Sequence, residues 1–366
     1  MAALLNLIVE LGEEFSTTSP PGFQITGPDE ADEQTLAWID EVFGGCWSSE
    51  AYAGTNVIGH RDGVAAGFAT IGAVGTTFAW LQGVARERGV GLFGPLGVAP
   101  EARERGLGVE LLRRALNALR AQGYTRALIP AAGEDLASYY TGAVGARIAE
   151  RFERTSLLRP RRRTLVLASG NGSNFQTVLD ASRSGALPID IVALLADNSQ
   201  AYALERARRG RIDTTTIVWD RAAESRAAYD ARLLEAARSI EPDLVLLLGW
   251  MHLLSDSFVG AFPEMINLHP AFLPLNPTRD DVVLPDGTRI PAFRGPRAVR
   301  DALAASSPWV GVTLHRVTPA TDRGPVLARR PLRVEPGEEE GPLMERVHKI
   351  ERDVVRSGVI RWLYER

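Results

Sequence analysis

The chain is short of the residues that staple a fold or charge a surface from one side only. Of its 366 residues one is cysteine, Cys46, and one is lysine, Lys349. A single thiol excludes a disulfide framework and a cysteine-based zinc site, and it fits a reducing cytoplasm. Long apolar runs are missing too. Stretches such as Leu244 to Met251 fall far short of the roughly twenty residues that cross a bilayer, so no membrane is expected as a partner. The apolar start, Met1 to Leu11, contains Glu10, is followed by Glu13 and Glu14 and has no basic flank, so it does not read as a secretory signal. Charge of one sign is also lacking: residues 1–163 carry 16 basic and 19 acidic side chains, and 164–366 carry 25 and 26. Neither half has the basic footprint of a nucleic-acid binder.

What is present suits a globular α/β chain. Apolar residues make up 45 % and charged residues 23 %, enough apolar material to bury cores and to exclude disorder as the main state. At roughly one to two hundred residues per domain, the length argues for two. Seven arginines fall between Arg147 and Arg163, ending in Arg159-Pro160-Arg161-Arg162-Arg163. A Pro flanked by like charges is hard to bury, so an Arg-rich linker is expected over 158–163 between domains at 1–157 and 164–366.

Periodicity gives the elements. The first part reads as a strand at Phe23–Thr26, a helix over Asp32–Phe43, and a strand pair within Asn56–Ala73 that turns at Arg61-Asp62-Gly63. A strand at Leu92–Val98, a helix at Leu107–Ala121, a strand at Arg126–Pro130 and a helix at Leu136–Val144 follow. The second part alternates strands (Thr164–Ala168, Ile189–Ala196, Thr214–Trp219, Asp243–Leu248) with helices (Asn174–Ser182, Ala203–Arg208, Ala222–Ser239). Such alternation predicts a doubly wound, Rossmann-like parallel sheet with right-handed crossovers.

Two features of the second part carry chemistry. Ser169-Gly170-Asn171-Gly172-Ser173-Asn174 sits between a strand and a helix, where glycines let backbone N–H groups turn toward an anion. Its spacing is neither the dinucleotide fingerprint nor a nucleotide P-loop. In Met265-Ile266-Asn267-Leu268-His269-Pro270, strand spacing points Asn267 and His269 to one face, setting a carboxamide donor beside an imidazole. Asp322, in Thr321-Asp322-Arg323-Gly324-Pro325, is the carboxylate available to orient or charge that histidine. Of the five histidines, His315 either lines the same site or packs. His252 and His348 read as contact or surface residues, and His60 as solvent-facing beside a hairpin turn.

These residues carry a resemblance. From about Thr164 to Arg366 the chain resembles the glycinamide ribonucleotide formyltransferase family, through the Ser169–Asn174 loop, Gly249-Trp250-Met251-His252-Leu253-Leu254, Asn267-Leu268-His269-Pro270 and Asp322-Arg323-Gly324-Pro325, in that order. The resemblance implies formyl transfer from 10-formyltetrahydrofolate to an amine, with Asn267, His269 and Asp322 as the catalytic trio. A protonated His269 and Asn267 would then stabilise the oxyanion. It further implies that Gly172, Ser173 and Asn174 hold a substrate phosphate, that Glu351 meets the substrate ribose, and that Trp250, Met251, His252, Leu254 and Val259 line the folate pocket. No metal is implied. Two departures point to a small specialised amine rather than glycinamide ribonucleotide. The stretch between Leu273-Pro274 and Phe293-Arg294-Gly295 is long for the family and is expected to form an inserted hairpin over the amine site. His348 stands where the family has Gln.

In the first part, Arg103-Glu104-Arg105-Gly106-Leu107-Gly108 opens a helix after a strand, a geometry that cradles diphosphate. Over roughly residues 20–155 the chain resembles the GNAT N-acetyltransferases, with their mixed sheet and helices, in this loop and in Leu136-Ala137-Ser138-Tyr139-Tyr140 with Val144-Gly145-Ala146. The resemblance implies acetyl-CoA binding by Val98, Arg103, Gly106 and Gly108, and a thiolate-protonating role for Tyr140, with Tyr139 as the neighbour able to face the site instead. The expected protein is thus a two-domain transferase acting on a small-molecule amine. The alternative is a purine-pathway formyltransferase with an accessory domain.

Overall fold

The computed structural model describes residues 3–73, 77–81, 83–157 and 160–365. Two compact units divide the chain, one of Met1–Phe43, Trp47–Arg159 and Leu363–Arg366, the other of Gly44–Cys46 and Pro160–Trp362. Leu158 and Arg159 of the expected linker lie outside the described residues.

The first unit runs β1 (Leu4–Glu10), β2 (Gln24–Asp29), α1 (Glu33–Val42), α2 (Trp47–Ala53), β3 (Thr55–Arg61), β4 (Val64–Ile71), β5 (Val90–Val98), α3 (Leu107–Ala121), β6 (Arg126–Gly133), α4 (Ala137–Val144) and β7 (Arg147–Phe152). Its sheet has the order β2-β3-β4-β5-β6-β1-β7. The β3–β4 hairpin turns at Asp62 and Gly63, both left-handed at φ +52° and +79°, as a tight hairpin requires. Asp32 caps α1 by accepting from the Thr35 amide at 2.7 Å. The apolar start is a strand: β1 lies between β6 and β7, antiparallel to both. Leu5, Leu7 and Val9 enter the core with Leu111, Leu112 and Leu116 of α3. β5 and β6 run parallel but pair only through Val90–Leu92 and Arg126–Leu128. Beyond that point Phe93–Val98 part from β6, opening a wedge just before the Gly106 turn.

The second unit runs β8 (Arg162–Leu167), α5 (Ser173–Arg183), β9 (Ile189–Ala196), α6 (Tyr202–Arg209), β10 (Asp213–Thr216), α7 (Arg226–Arg238), β11 (Leu244–Leu247), α8 (Asp256–Ala261), β12 (Met265–His269), β13 (Asp281–Val283), β14 (Arg289–Pro291), α9 (Ala298–Ala304), β15 (Trp309–Arg316), β16 (Val326–Arg333) and α10 (Glu340–Tyr364). The sheet order is β10-β9-β8-β11-β12-β15-β16. β10 to β12 are parallel, their leucines buried on both faces as helix-covered strands demand. The parallel sheet expected from the alternation is present in these strands, and beyond it β15 and β16 pair antiparallel. The sheet is mixed, and that reversal brings the residues after β15 back over β12.

Three expectations change in detail. β8 begins at Arg162, inside the stretch read as linker. Arg161 donates to the Ser182 carbonyl at 3.0 Å, and Arg163 to that of Ile240 at 2.7 Å. Carbonyls near helix C-termini lack intrahelical partners, and guanidinium donors satisfy them. The helix expected from Ala222 begins at Arg226, because the Ser225 hydroxyl accepts from the Ala228 amide and caps it there. The strand expected to reach Trp219 ends at Thr216. The inserted stretch does form a hairpin, β13 pairing with β14.

Candidate functional site

The candidate centre is assembled by strand register. Asn267 and His269 sit two residues apart on β12, and antiparallel pairing sets His315 of β15 directly opposite Asn267. In the β15–β16 pairing the register shifts between Leu314 and His315, with Leu327 skipped on β16. The Asn267 Nδ2 lies 3.3 Å from His315 Nε2 and donates to Asp322 Oδ1 at 3.4 Å. Asp322, on the β15–β16 connection, holds the left-handed φ of +52°. Its Oδ2 accepts from the Gly295 amide at 2.8 Å and faces His269 Nδ1 at 3.6 Å, while Oδ1 faces His315 Nε2 at 3.4 Å. The three side chains singled out in the sequence therefore converge, and His315 joins them.

Protonation follows from partners. The Phe293 carbonyl, 2.8 Å from His269 Nε2, can only accept, so Nε2 carries a proton and Nδ1 is the edge turned to Asp322. Burial is the largest influence on His269 and lowers its pKa below the ordinary imidazole range, outweighing the opposing Asp322 charge. Burial thus favours the neutral imidazole at rest; the imidazolium that the resemblance implies belongs to the reaction, when an oxyanion stands beside it. Burial pushes Asp322 up, but the His315 hydrogen bond and the Gly295 amide hold it well below the carboxylate range. It stays ionised.

Gly172 caps α5 at φ +74°, with no side-chain cap, leaving the first amides of the helix for an anion. A Cβ at Gly172 would lie 2.7 Å from that of Ala203, so only glycine fits. Arg206 braces the loop through the Asn171 carbonyl at 2.9 Å. Asn174 turns its Nδ2 to Glu351 Oε2 at 2.8 Å, and His348 Nδ1 meets the same oxygen at 2.8 Å. That contact with Glu351 raises the His348 pKa.

The residues expected to line a folate pocket follow Gly249, left-handed at φ +80°. Trp250 is buried, whereas Met251 is 55 % and Leu253 62 % exposed. His252 pairs with Asp197, Nε2 to Oδ2 at 3.1 Å, and its ring meets those of Trp219, Tyr229 and Trp250. Leu254 packs on the core beneath, and Val259 lies half-buried on α8. Trp250 Nε1 and Asp197 Oδ1 are buried without a partner. Exposed apolar side chains above unsatisfied polar atoms suit a planar, hydrogen-bonding heterocycle.

In the first unit, Gly106 caps α3 at φ +82° with no side-chain cap. Arg103 Nε donates to the Val98 carbonyl at 3.2 Å, so the end of β5, its wedge and the loop lie together. A Cβ at Gly108 would come within 3.0 Å of the Tyr139 hydroxyl. Tyr139 is thus the tyrosine against the cradle. The Tyr140 ring is 7 % exposed and packs in the core. Burial raises the pKa of both phenols, Tyr139 to about 12.

Sequence reasoning did not find the backbone of Phe293 and Gly295, which fixes the His269 tautomer and binds Asp322. Carbonyls and amides carry no residue signature. Among the described residues no helix is long and apolar enough to cross a membrane.

Comparison with known proteins agrees with this geometry. A family model for formyl transferase matches residues 162–278 and 287–359, more than half of the chain. A model for the acetyltransferase (GNAT) family matches 10–140. Phosphoribosylglycinamide formyltransferase of Escherichia coli (strain K12) is 33 % identical over 199 residues, 54 % of this chain and 85 % of that protein. The Mycobacterium tuberculosis (strain ATCC 25618 / H37Rv) protein of that name is 36 % identical over 200 residues, 54 % of this chain and 83 % of its own length. Among solved structures, glycinamide ribonucleotide transformylase 1 from Symbiobacterium toebii aligns with 56 % of this chain and 88 % of its own, at 32 % identity and a TM-score of 0.49. The chain belongs to the formyl transferase family, a transferase that carries a GNAT-family domain ahead of its formyltransferase domain.

Proposed function

We propose that this formyltransferase acts with 10-formyltetrahydrofolate and a small specialised-metabolite amine. The carrying observation is the convergence of Asn267, His269 and Asp322 in one buried cluster. Bound beside them, 10-formyltetrahydrofolate supplies the formyl group. Asn267 offers its carboxamide N–H to the carbonyl oxygen as negative charge develops there. As the acceptor nitrogen bonds to the formyl carbon, His269, neutral and protonated at Nε2, would accept the acceptor's proton at Nδ1 and return it to the donor's N10 as the formyl–N10 bond breaks. Asp322, already ionised, faces the resulting imidazolium at 3.6 Å. The Gly172–Asn174 turn receives an anionic group of the acceptor, Glu351 and His348 its polar body, and the Trp250–Leu254 loop with Val259 the pterin. In the first unit, Val98, Arg103, Gly106 and Gly108 would hold acetyl-CoA, with Tyr139 nearer than Tyr140 for proton delivery.

The acceptor reading rests on the break in the family match at 279–286, which takes in β13 of the hairpin, and on His348. The anion-binding turn and the relatives' names favour the second reading, glycinamide ribonucleotide as acceptor. Tetrahydrofolate release, measured on the full chain with glycinamide ribonucleotide and with a panel of small amines, separates them. Turnover restricted to glycinamide ribonucleotide overturns the first, and no release with any amine overturns both.

A further inference from the structure

The hairpin that interrupts the family match is tied into the candidate centre. Resting on the formyl-transfer reading above, we propose that Arg294 is a positioning residue, through which the inserted hairpin holds His269 and Asp322 in their working geometry.

One guanidinium reaches three partners. Arg294 Nε donates to the Asp322 carbonyl at 3.2 Å, Nη1 to Asp280 Oδ1 at 3.1 Å, and Nη2 to the Arg279 carbonyl at 2.7 Å. Arg279 and Asp280 lie in the segment the family match skips. Arg323, next to Asp322, donates to Asp280 as well and to the Pro277 carbonyl at 3.0 Å. Two arginines, Arg294 and Arg323, both beyond the skipped segment, thus clamp the carboxylate of Asp280 within it.

The residues flanking Arg294 touch the reacting groups. Phe293 accepts from His269 Nε2, and the Gly295 amide donates to Asp322 Oδ2. Moving the Arg294 backbone would therefore disturb the histidine tautomer and the carboxylate together. The clamp also holds Asp322 in a left-handed conformation that a side-chain-bearing residue keeps only when its surroundings impose it. A planar fork serving three acceptors is replaced only in part by a point charge. The charged and titratable groups acting on His269 are Asp322, His315 and Arg294 itself, and burial dominates them. Loosening the clamp admits water and removes a nearby cation, and both changes favour the imidazolium.

The test uses the full chain with ¹⁵N-histidine, whose five histidines resolve individually, His269 being assigned through its loss in His269→Gln. In Arg294→Ala the His269 titration midpoint moves up by roughly half a pH unit or more. Formyl transfer from 10-formyltetrahydrofolate, assayed with whichever amine the wild type accepts, falls about 10- to 100-fold in kcat, with the donor KM within about threefold. Arg294→Lys recovers part of the kcat. Asp280→Asn, which weakens the clamp without removing Arg294, shifts His269 in the same direction and serves if Arg294→Ala unfolds. A His269 midpoint unchanged in both variants overturns the proposal. The titration needs no acceptor. A wild-type chain that transfers no formyl group therefore sinks the functional reading, while the His269 midpoints still decide whether Arg294 positions the histidine.

Discussion

The candidate sites of the two units are built by opposite means. In the second, side chains on a strand, a paired strand and a returning loop meet within 3.3–3.6 Å around Asp322. In the first, the candidate site is mostly backbone: a wedge where β5 leaves β6, an uncapped helix start at Gly106, and a glycine at 108. A site made of side chains fails when one of them is truncated. A site made of backbone tolerates side-chain loss but not an added Cβ.

The largest expected effect tests the side-chain half of that contrast. Asn267→Ala, His269→Ala and Asp322→Ala should each lower kcat for formyl transfer by roughly 10²- to 10⁴-fold, with thermal unfolding showing that the fold persists. In the first unit Tyr140→Phe should leave acetyl-CoA affinity within about twofold by calorimetry, since removing the hydroxyl of a core-packed ring keeps its shape. A large loss in Tyr140→Phe would erase the contrast.

Next come the glycines. Gly172→Ala forces a left-handed residue and a 2.7 Å contact with Ala203, so it should cost about 1–3 kcal/mol in urea unfolding and raise the acceptor KM. Gly108→Ala meets side chains only, the Tyr139 hydroxyl at 3.0 Å and a Val98 methyl at 3.4 Å, and should weaken acetyl-CoA with less loss of stability. Equal destabilisation by the two would show that the loops differ less than their geometry implies.

The pH profile gives a smaller, directional effect. Transfer requires neutral His269, whose lowered pKa keeps it neutral to more acid pH. The acid limb of kcat should therefore fall below the ordinary imidazole value of 6.5, activity being lost as pH drops through the lowered pKa. A limb at or above that value contradicts the assignment. The smallest effect is expected for His348→Gln. Glu351 raises the His348 pKa, so its charge is present at low pH and lost as pH rises through the raised value. The variant should change acceptor KM by about two- to fivefold and remove that pH dependence.

Much of this was legible in the sequence because local chemistry marked it. The β9 strand and the α3 helix lie where periodicity put them, and Asn267 and His269 were recognisable from strand spacing. What escaped depends on partners distant in the chain. β1 looked like a bare apolar start because its neighbours, β6 and β7, come more than a hundred residues later. His315 was left between lining and packing, and only cross-strand register sets it against Asn267. The lowered pKa of His269 is not legible in the sequence, because a nearby carboxylate is visible there and burial is not. The Arg-rich stretch looked solvated because the carbonyls awaiting Arg161 and Arg163 belong to helix ends elsewhere.

The sharpest test of the charged cluster is single-turnover transfer by Asp322→Asn, since that variant keeps the shape of the site and removes its charge. With 10-formyltetrahydrofolate binding measured separately, donor affinity should stay within a few-fold of wild type while transfer slows by about two orders of magnitude or more. Transfer at the wild-type rate, with donor bound, would show that the carboxylate at Asp322 does not drive the reaction.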